Sequence, residues 1–232
     1  MPLSLSNPAP PTTEDVLVER VNALAGHTLG EVAAAGGEDV PEDLRRNKGW
    51  VGKLLERALG ASAGNRAEPD FVELGIELKT LPVDATGKPL ESTYVTTVPL
   101  DDVEQLEFVD SKVLAKLEKV LWLPVHAEGP LAERMIGRAV LWEPNEEELE
   151  LLRSDWESHI QTIRQGFVEN IDATDGEVLQ IRPKAANSRS LTWGVDPHGE
   201  SMLTGPRGFY LRTVFTEYLL KSRLFGVGGL EE

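Results

Sequence analysis

The stretch Pro69-Asp70-Phe71-Val72-Glu73-Leu74-Gly75-Ile76-Glu77-Leu78-Lys79 sets a Pro-Asp ahead of an alternating apolar run that contains Glu-x-Lys. A strand points successive side chains to opposite faces, so with Ile76, Leu78 and Thr80 on one side, Glu77 and Lys79 project together from the other. One face of the strand then carries an anion and a cation. A hard cation such as Mg2+ takes oxygen ligands, commonly one or two carboxylates completed by water and substrate phosphate, and Asp70 and Glu77 can supply the carboxylates. Lys79 would stand beside a metal-bound water attacking phosphorus. The same pattern also suits an edge strand with a solvated Glu/Lys pair, so the surroundings of the motif decide between the two.

The chain has 232 residues, enough for one substantial core, and its 41% hydrophobic and 27% charged residues are ordinary for a globular protein. It has no cysteine, which removes disulfides, thiolate zinc sites and thiol nucleophiles together. His27, His126, His159 and His198 lie far apart with no paired spacing, so a His-based zinc site or a Ser-His-Asp arrangement has no support. The N-terminal residues lack the basic and apolar regions of a signal peptide, and Val120 to Val125 is too short to cross a bilayer. A cytoplasmic monomer with no membrane partner is expected.

The net charge of −16 argues at first against a nucleic-acid partner, since phosphate contacts need Lys and Arg. Its distribution matters more than the total. Residues 143 to 157 have a net charge of −6, whereas residues 44 to 58 carry +4 and residues 179 to 193 and 201 to 223 carry +3 each. Segregation of this kind suits one basic cleft within an acidic outer surface, and equally three unconnected solvated faces.

Periodicity and end signals divide the chain into elements. A Pro- and Ser-rich N-terminus, residues 1–12, is expected to be disordered, followed by a two-lobed domain over 13–225 and a mobile Gly-rich tail over 226–232. Helices are expected from Thr12 or Thr13 to Gly26, with Leu17, Val21 and Leu24 inward, and from the capping box Thr28-x-x-Glu31 to about Gly36. A third runs over Val51 to Leu59, with Glu56 flanked by inward apolar positions. Strands follow at Gly75 to Pro82 and Ser92 to Val98, then a helix at Ser111 to Lys119 and strands at Val120 to Val125 and Arg138 to Trp142. A long helix capped at Asn145 places Glu146, Glu147 and Glu148 at the positive end of its dipole. Val178 to Ile181 and Phe209 to Leu211 read as strands, with a polar loop through Ser190 between them, and a last helix covers Thr213 to Phe225. The order mixes both classes around a central mixed sheet, and with no Gly-x-Gly-x-x-Gly or Walker-type loop a nucleotide cofactor has no support.

Beyond Pro69-Asp70 and Glu77-Leu78-Lys79, further word-like blocks stand in order: Lys48-Gly49-Trp50, Gly60 to Gly64, Lys116 to Val125, Leu141 to Glu148, Leu179 to Ser188 and Pro206 to Leu211. With these blocks the chain, from about residue 13 to 225, closely resembles the MutH family of methyl-directed mismatch-repair endonucleases. The resemblance implies a mixed α/β PD-(D/E)xK, restriction-endonuclease-like fold with a central mixed sheet flanked by helices and two lobes around a DNA cleft. It implies nicking of the unmethylated strand 5′ of the G in hemimethylated or unmethylated GATC duplexes, activated by MutL once MutS has found a mismatch.

By that resemblance Asp70 and Glu77 are metal-binding acids, joined by the Leu78 backbone carbonyl, and Lys79 is the catalytic lysine, with Glu56 and Lys116 also in the catalytic set. The metal is Mg2+, with Mn2+ or Ca2+ as substitutes. Lys48, Gly49, Tyr94, Arg182, Pro183, Lys184, Arg207 and Tyr210 match the DNA-contact surface, with Tyr210 and the Arg182-Pro183 loop walling the adenine whose N6 is sensed. Arg and Lys suit guanine O6/N7, and a methyl on adenine N6 adds bulk and removes a donor. Residues 101 to 112 depart from the family and are more acidic than a DNA-facing loop should be. Two other readings carry different tests. A GATC restriction nuclease of the same fold would cut without MutL, and a silent DNA-binding adaptor would have no need of Asp70, Glu77 and Lys79 together.

Overall fold

The computed structural model of the protein describes residues 8–64, 66, 68–101, 103–184 and 190–226. The expectations for residues 1–7, for the tail after Gly226 and for most of the loop before Ser190 lie outside these residues. The chain divides into two compact units. The first comprises Met1–Glu91, Lys119–Glu143 and Leu220–Val227, and the second Ser92–Glu118, Pro144–Leu219 and Gly228–Glu232.

The first unit opens with three helices. In α1 (Glu14–Leu24) the Thr13 side chain accepts from the Val16 N–H, and Leu17, Val21 and Leu24 are buried. Ahead of it, Pro11 is buried and the Ala9 carbonyl accepts from Arg20 Nη1 at 2.8 Å, which ties residues near the start of the described chain to α1. The reciprocal capping box of Thr28 and Glu31 starts α2 (Leu29–Ala35). α3 (Trp50–Leu59) buries Leu54, Leu55, Ala58 and Leu59. These faces meet Phe71, Ile76, Leu121 and Leu123 in one hydrophobic core.

That core also receives a three-stranded sheet of order β1-β3-β4. β1 (Glu77–Val83) pairs in parallel with β3 (Val120–His126), from Glu77 opposite Val120 to Val83 opposite His126, and β4 (Val140–Trp142) pairs antiparallel with β3. Strands with parallel neighbours are usually covered on both faces, and β3 is buried from Val120 to Val125. β1 shows the same effect, and here the structure differs from the expectation. Leu81 and Val83, which alternate with Glu77 and Lys79 on one face, are buried, whereas Thr80 is half-buried and Ile76 precedes the strand, so β1 has no wholly polar side. Trp122 and Trp142, both fully buried, meet with ring centroids 6.0 Å apart.

The second unit is built on a purely antiparallel sheet of order β2-β8-β5, formed by β2 (Thr93–Thr97), β5 (Leu179–Pro183) and β8 (Arg207–Leu211). Against β5 lies α5 (Glu146–Arg164), capped by the reciprocal box of Asn145 and Glu148. Asp155, buried on α5, accepts from three consecutive backbone N–H groups, Glu177 at 2.9 Å, Val178 at 2.7 Å and Leu179 at 2.8 Å. This carboxylate fixes where β5 begins. His159, one turn further on, bonds the Leu179 carbonyl at 3.0 Å.

α4 (Lys112–Leu117) is shorter than expected, starting at the Ser111 cap and ending at Leu117. The acidic segment before it is anchored from within: Arg164 donates to the Val103 and Leu106 carbonyls, Val103 and Phe108 are buried, and Glu104 and Glu107 face solvent. A hairpin that periodicity did not reveal, β6 (Thr192–Val195) with β7 (Ser201–Thr204), turns at Asp196 to Gly199. α6 (Thr213–Phe225) ends the described chain and contributes to both units. Among the described residues the fold is mixed α/β, with the strands in three small sheets and the mixed pairing confined to β1-β3-β4. Among the described residues no helix is long and apolar enough to cross a membrane.

Candidate active site and nucleic-acid face

Asp70 and Glu77 are separated by seven positions, and a short reversal closes that gap. Phe71 and Ile76 form an isolated bridge, the Phe71 N–H on the Ile76 carbonyl at 2.9 Å, around a single 3-10 turn, Val72–Leu74. The reversal returns Asp70 to the start of β1, where its Oδ2 accepts from the Leu78 N–H at 2.8 Å. The Asp70 carbonyl is held in turn by the Ser62 and Ala63 N–H groups at 2.9 and 3.3 Å. The acid is therefore fixed from its backbone and its side chain.

Glu77 is 7% exposed, and Lys79 Nζ donates to its Oε1 at 2.9 Å. The pair projects from one side of β1, as the alternation predicts. Glu56, on α3, is the third acid of the group. Burial, followed by the negative charges of Asp70 and Glu77, pushes its carboxyl above the usual carboxylate range, and Lys53 and Arg57 oppose this less strongly. The charges of Asp70 and Glu77 outweigh those of Lys53 and Arg57 at Glu56, a negative bias that a bound cation would relieve.

Among the described residues no group of three or more His, Cys, Asp or Glu stands at metal-holding spacing. Two carboxylates and a backbone carbonyl nevertheless fit a hard cation that takes its remaining ligands from water and phosphate. They do not suit zinc, which favours nitrogen and sulfur donors. Of the other catalytic candidates, Lys116 is half-buried on α4 and belongs to the second unit. Lys48 and Gly49 precede α3. Lys48 is exposed, and Gly49 adopts φ +82°, a conformation that glycine enters without the steric cost of a Cβ, so its part is to turn the chain into the helix that carries Glu56.

The second unit gathers the remaining predicted residues on its antiparallel sheet. Tyr94 on β2 is opposite Tyr210 on β8, and Arg182 and Pro183 on β5 are opposite Gly208 and Arg207. The two tyrosine rings meet edge to face, centroids 5.4 Å apart at 64°. Lys184 Nζ stands 3.8 Å from the Tyr94 ring centroid, and Arg182 Cζ is 5.9 Å from that of Tyr210. Arg182 also donates to Ser92 Oγ at 2.7 Å. Burial, and secondarily Tyr210, raises the Tyr94 phenol. Rings with cations at these distances have the geometry of cation-π pairs, and they present both flat apolar surface and positive charge.

Arg207 is held differently. Its side chain is 11% exposed, with Nη2 on Glu169 Oε2 at 3.0 Å and Nη1 on the Gly205 carbonyl at 3.1 Å. Thr204 also donates to Glu169, and these contacts hold that carboxyl below the usual range despite partial burial, Thr204 contributing most. Glu169 went unrecognised in the sequence because it lies 38 residues from Arg207 with no local pattern linking the two.

Residues 59–155 match the family model described as the DNA mismatch repair enzyme MutH. The chain is 51% identical over 225 residues to the DNA mismatch repair protein MutH of Shewanella woodyi, covering 96% of this chain and 97% of that protein. It is 54% identical over 215 residues to the protein of the same name from Yersinia enterocolitica, covering 92% and 94%, and 51% identical over 219 residues to that of Shewanella sp. MR-7, covering 94% and 98%. With identity near one half sustained over almost its whole length, the chain belongs to the MutH family of DNA mismatch-repair enzymes.

Proposed function

We propose that this protein nicks the unmethylated strand of GATC sites, 5′ of the G, using Asp70, Glu77 and Lys79, and that MutL activates it in the cytoplasm. As a member of the MutH family it is an endonuclease of mismatch repair. The observation that carries the active-site assignment is the closure of Asp70 onto the Leu78 N–H beside the Glu77–Lys79 pair. Phosphodiester hydrolysis needs an activated water, neutralisation of charge at phosphorus and help for the departing oxygen. Mg2+ held by Asp70, Glu77 and the Leu78 carbonyl would supply the first two. Lys79, already oriented by Glu77, directs an ammonium toward the group being attacked, and Glu56 adds to the negative potential that draws a cation in. The Tyr94-Tyr210 face, with Arg182 and Lys184, is the surface that meets the duplex and senses the adenine N6 substituent.

The test uses duplexes with one GATC site, unmethylated, hemimethylated or fully methylated, each strand labelled separately, with and without MutL, and with Mg2+ or a chelator. The expected result is Mg2+-dependent nicking of unmethylated strands only, accelerated by MutL. Equal cutting of both strands without MutL would instead identify a restriction nuclease, and binding without any cutting a silent adaptor.

A further inference from the structure

Gly208 is the second residue of β8, opposite Thr97 on β2 and Arg182 on β5. Alternation along the strand places it on the same face as Tyr210. A Cβ built on it would lie 2.9 Å from Tyr94 Cε2, 3.1 Å from Tyr210 Cε2 and 3.3 Å from Tyr94 Cδ2. Both rings of the edge-to-face pair therefore lean over the same bare stretch of backbone. The left-handed region does not explain the glycine, since its φ lies outside it. Space does.

We propose that Gly208 is a positioning residue for strand discrimination: its missing side chain lets Tyr94 and Tyr210 settle against β8, and the settled pair sets the height of the surface that meets the adenine. This rests on the reading of that face as the DNA-sensing one. Carbon atoms in contact prefer about 3.5–4.0 Å, so a methyl at position 208 drives the Tyr94 ring edge back by roughly 0.6–1 Å. A binding constellation tolerates displacements of about 0.5 Å, so this one is large enough to be felt. It is also transmitted, because Lys184 Nζ rests 3.8 Å from the Tyr94 centroid and moves with the ring. A fit close enough to exclude one methyl group on adenine is impaired when its wall shifts by more than about 0.5 Å.

The experiment measures nicking of each strand of a hemimethylated GATC duplex, with MutL, by the full-length protein, Gly208→Ala, Tyr94→Ala and the double variant, with thermal melting of each. The discrimination ratio is the rate on the unmethylated strand over that on the methylated strand. Gly208→Ala is expected to lower it at least about fivefold, the low end of what a misplaced base contact costs. In the Tyr94→Ala background, where the nearer of the two rings is gone and only Tyr210 remains at 3.1 Å, adding Gly208→Ala is expected to lower the ratio by less than half the factor it does in the unaltered protein, since residues acting through a shared contact are not additive. A purely structural glycine would slow both strands alike and leave the ratio where it was, which overturns the proposal. So does a full further loss in the Tyr94→Ala background. If Gly208→Ala alone does not fold, the comparison of Tyr94→Ala with the double variant decides. A ratio near one in the unaltered protein refutes the reading of the face itself, whatever Gly208 does.

Discussion

Replacing Asp70 by Asn keeps the shape of the side chain and removes one charge, so it separates what the acid does for catalysis from what it costs the fold. The amide oxygen can still accept from the Leu78 N–H, although a neutral acceptor is weaker than a charged one by about 0.5–1 kcal/mol. Against that stands relief of repulsion. Neighbouring like charges in one site repel by a few kcal/mol at an effective dielectric of about 20, and partial solvation of Glu56 reduces this to about 1–1.5 kcal/mol. The variant should therefore be as stable as the parent or more stable by up to about 1 kcal/mol near pH 8, which for a chain of this size is 2–4 °C in Tm at most.

The pH dependence gives the sign. Glu56 has its carboxyl raised above the ordinary 4.5, first by burial and then by Asp70, so the stability it contributes is complete below pH 4.5 and is lost as the pH rises through the raised value. Removing the Asp70 charge lessens that loss. The difference between variant and parent should thus grow in favour of the variant from pH 5 to pH 8, as measured by urea unfolding. Nicking should fall at least about a thousandfold, because a carboxylate ligand of the metal has gone. A variant that is less stable by more than about 1 kcal/mol at pH 8, or whose stability difference ignores pH, would refute the electrostatic account. Near-normal nicking would remove Asp70 from the metal site.

Lys79→Ala should also abolish nicking but with the opposite effect on stability, a loss of about 1–3 kcal/mol in urea unfolding, because Glu77 at 7% exposure is left without the ammonium that neutralises it; a stabilised Lys79→Ala would contradict this. Asp155→Ala strips the acceptor from three N–H groups at the start of β5 and should cost about 3–5 kcal/mol, whereas Asp155→Asn, keeping an oxygen for Val178 and Leu179, should cost less than half as much; a loss below about 1 kcal/mol for Asp155→Ala would mean that water replaces the carboxylate. Lys184→Ala should weaken binding to all duplexes alike and lower the salt dependence of binding by about one phosphate contact, measured by fluorescence anisotropy across a salt series. Relaxed sequence preference would show instead that Lys184 reads a base.

Local signals made much of the fold legible. The box Thr28-x-x-Glu31 and the cap at Asn145 mark their helix starts, and both form, the second as a reciprocal box with Glu148. The Glu77–Lys79 pairing follows from strand alternation alone. What was hidden depends on the third dimension or on missing contrast. The β6-β7 hairpin carries Trp193 and Leu203, both more than half exposed and directly opposite each other, so its apolar residues do not mark a buried face; its one local sign was the Asp196 to Gly199 turn, where Asp196 Oδ1 accepts from the His198 and Glu200 N–H groups. The covered second face of β1 follows from its parallel neighbour, which lies more than forty residues away. The contact of Asp70 with Leu78 needs the Phe71-Ile76 bridge, and no spacing rule gives that.

The acids and the tyrosines are placed on sheets of different kinds, and this has a consequence for how substitutions combine. Glu77 and Lys79 sit on a parallel-paired strand whose neighbours are buried on both faces, a setting that holds side chains rigidly and excludes water from a charged pair. Tyr94, Tyr210, Arg182 and Lys184 sit on or next to an antiparallel sheet that can leave one face open, where Arg182 and Lys184 are exposed and the rings are half-buried. Substitutions in the first group should lower the rate on every cleavable strand by a common factor, and substitutions of Tyr94, Tyr210 or Arg182 should change the ratio between strands. Since the two groups belong to separate compact units, their effects should add in free energy within about 0.5 kcal/mol when combined. Strand-resolved nicking by Lys79→Arg, by Gly208→Ala and by the two together tests this. A double variant whose strand ratio departs from that of Gly208→Ala by more than about twofold would mean that the lysine also takes part in discrimination, and that reading and cutting are one step rather than two.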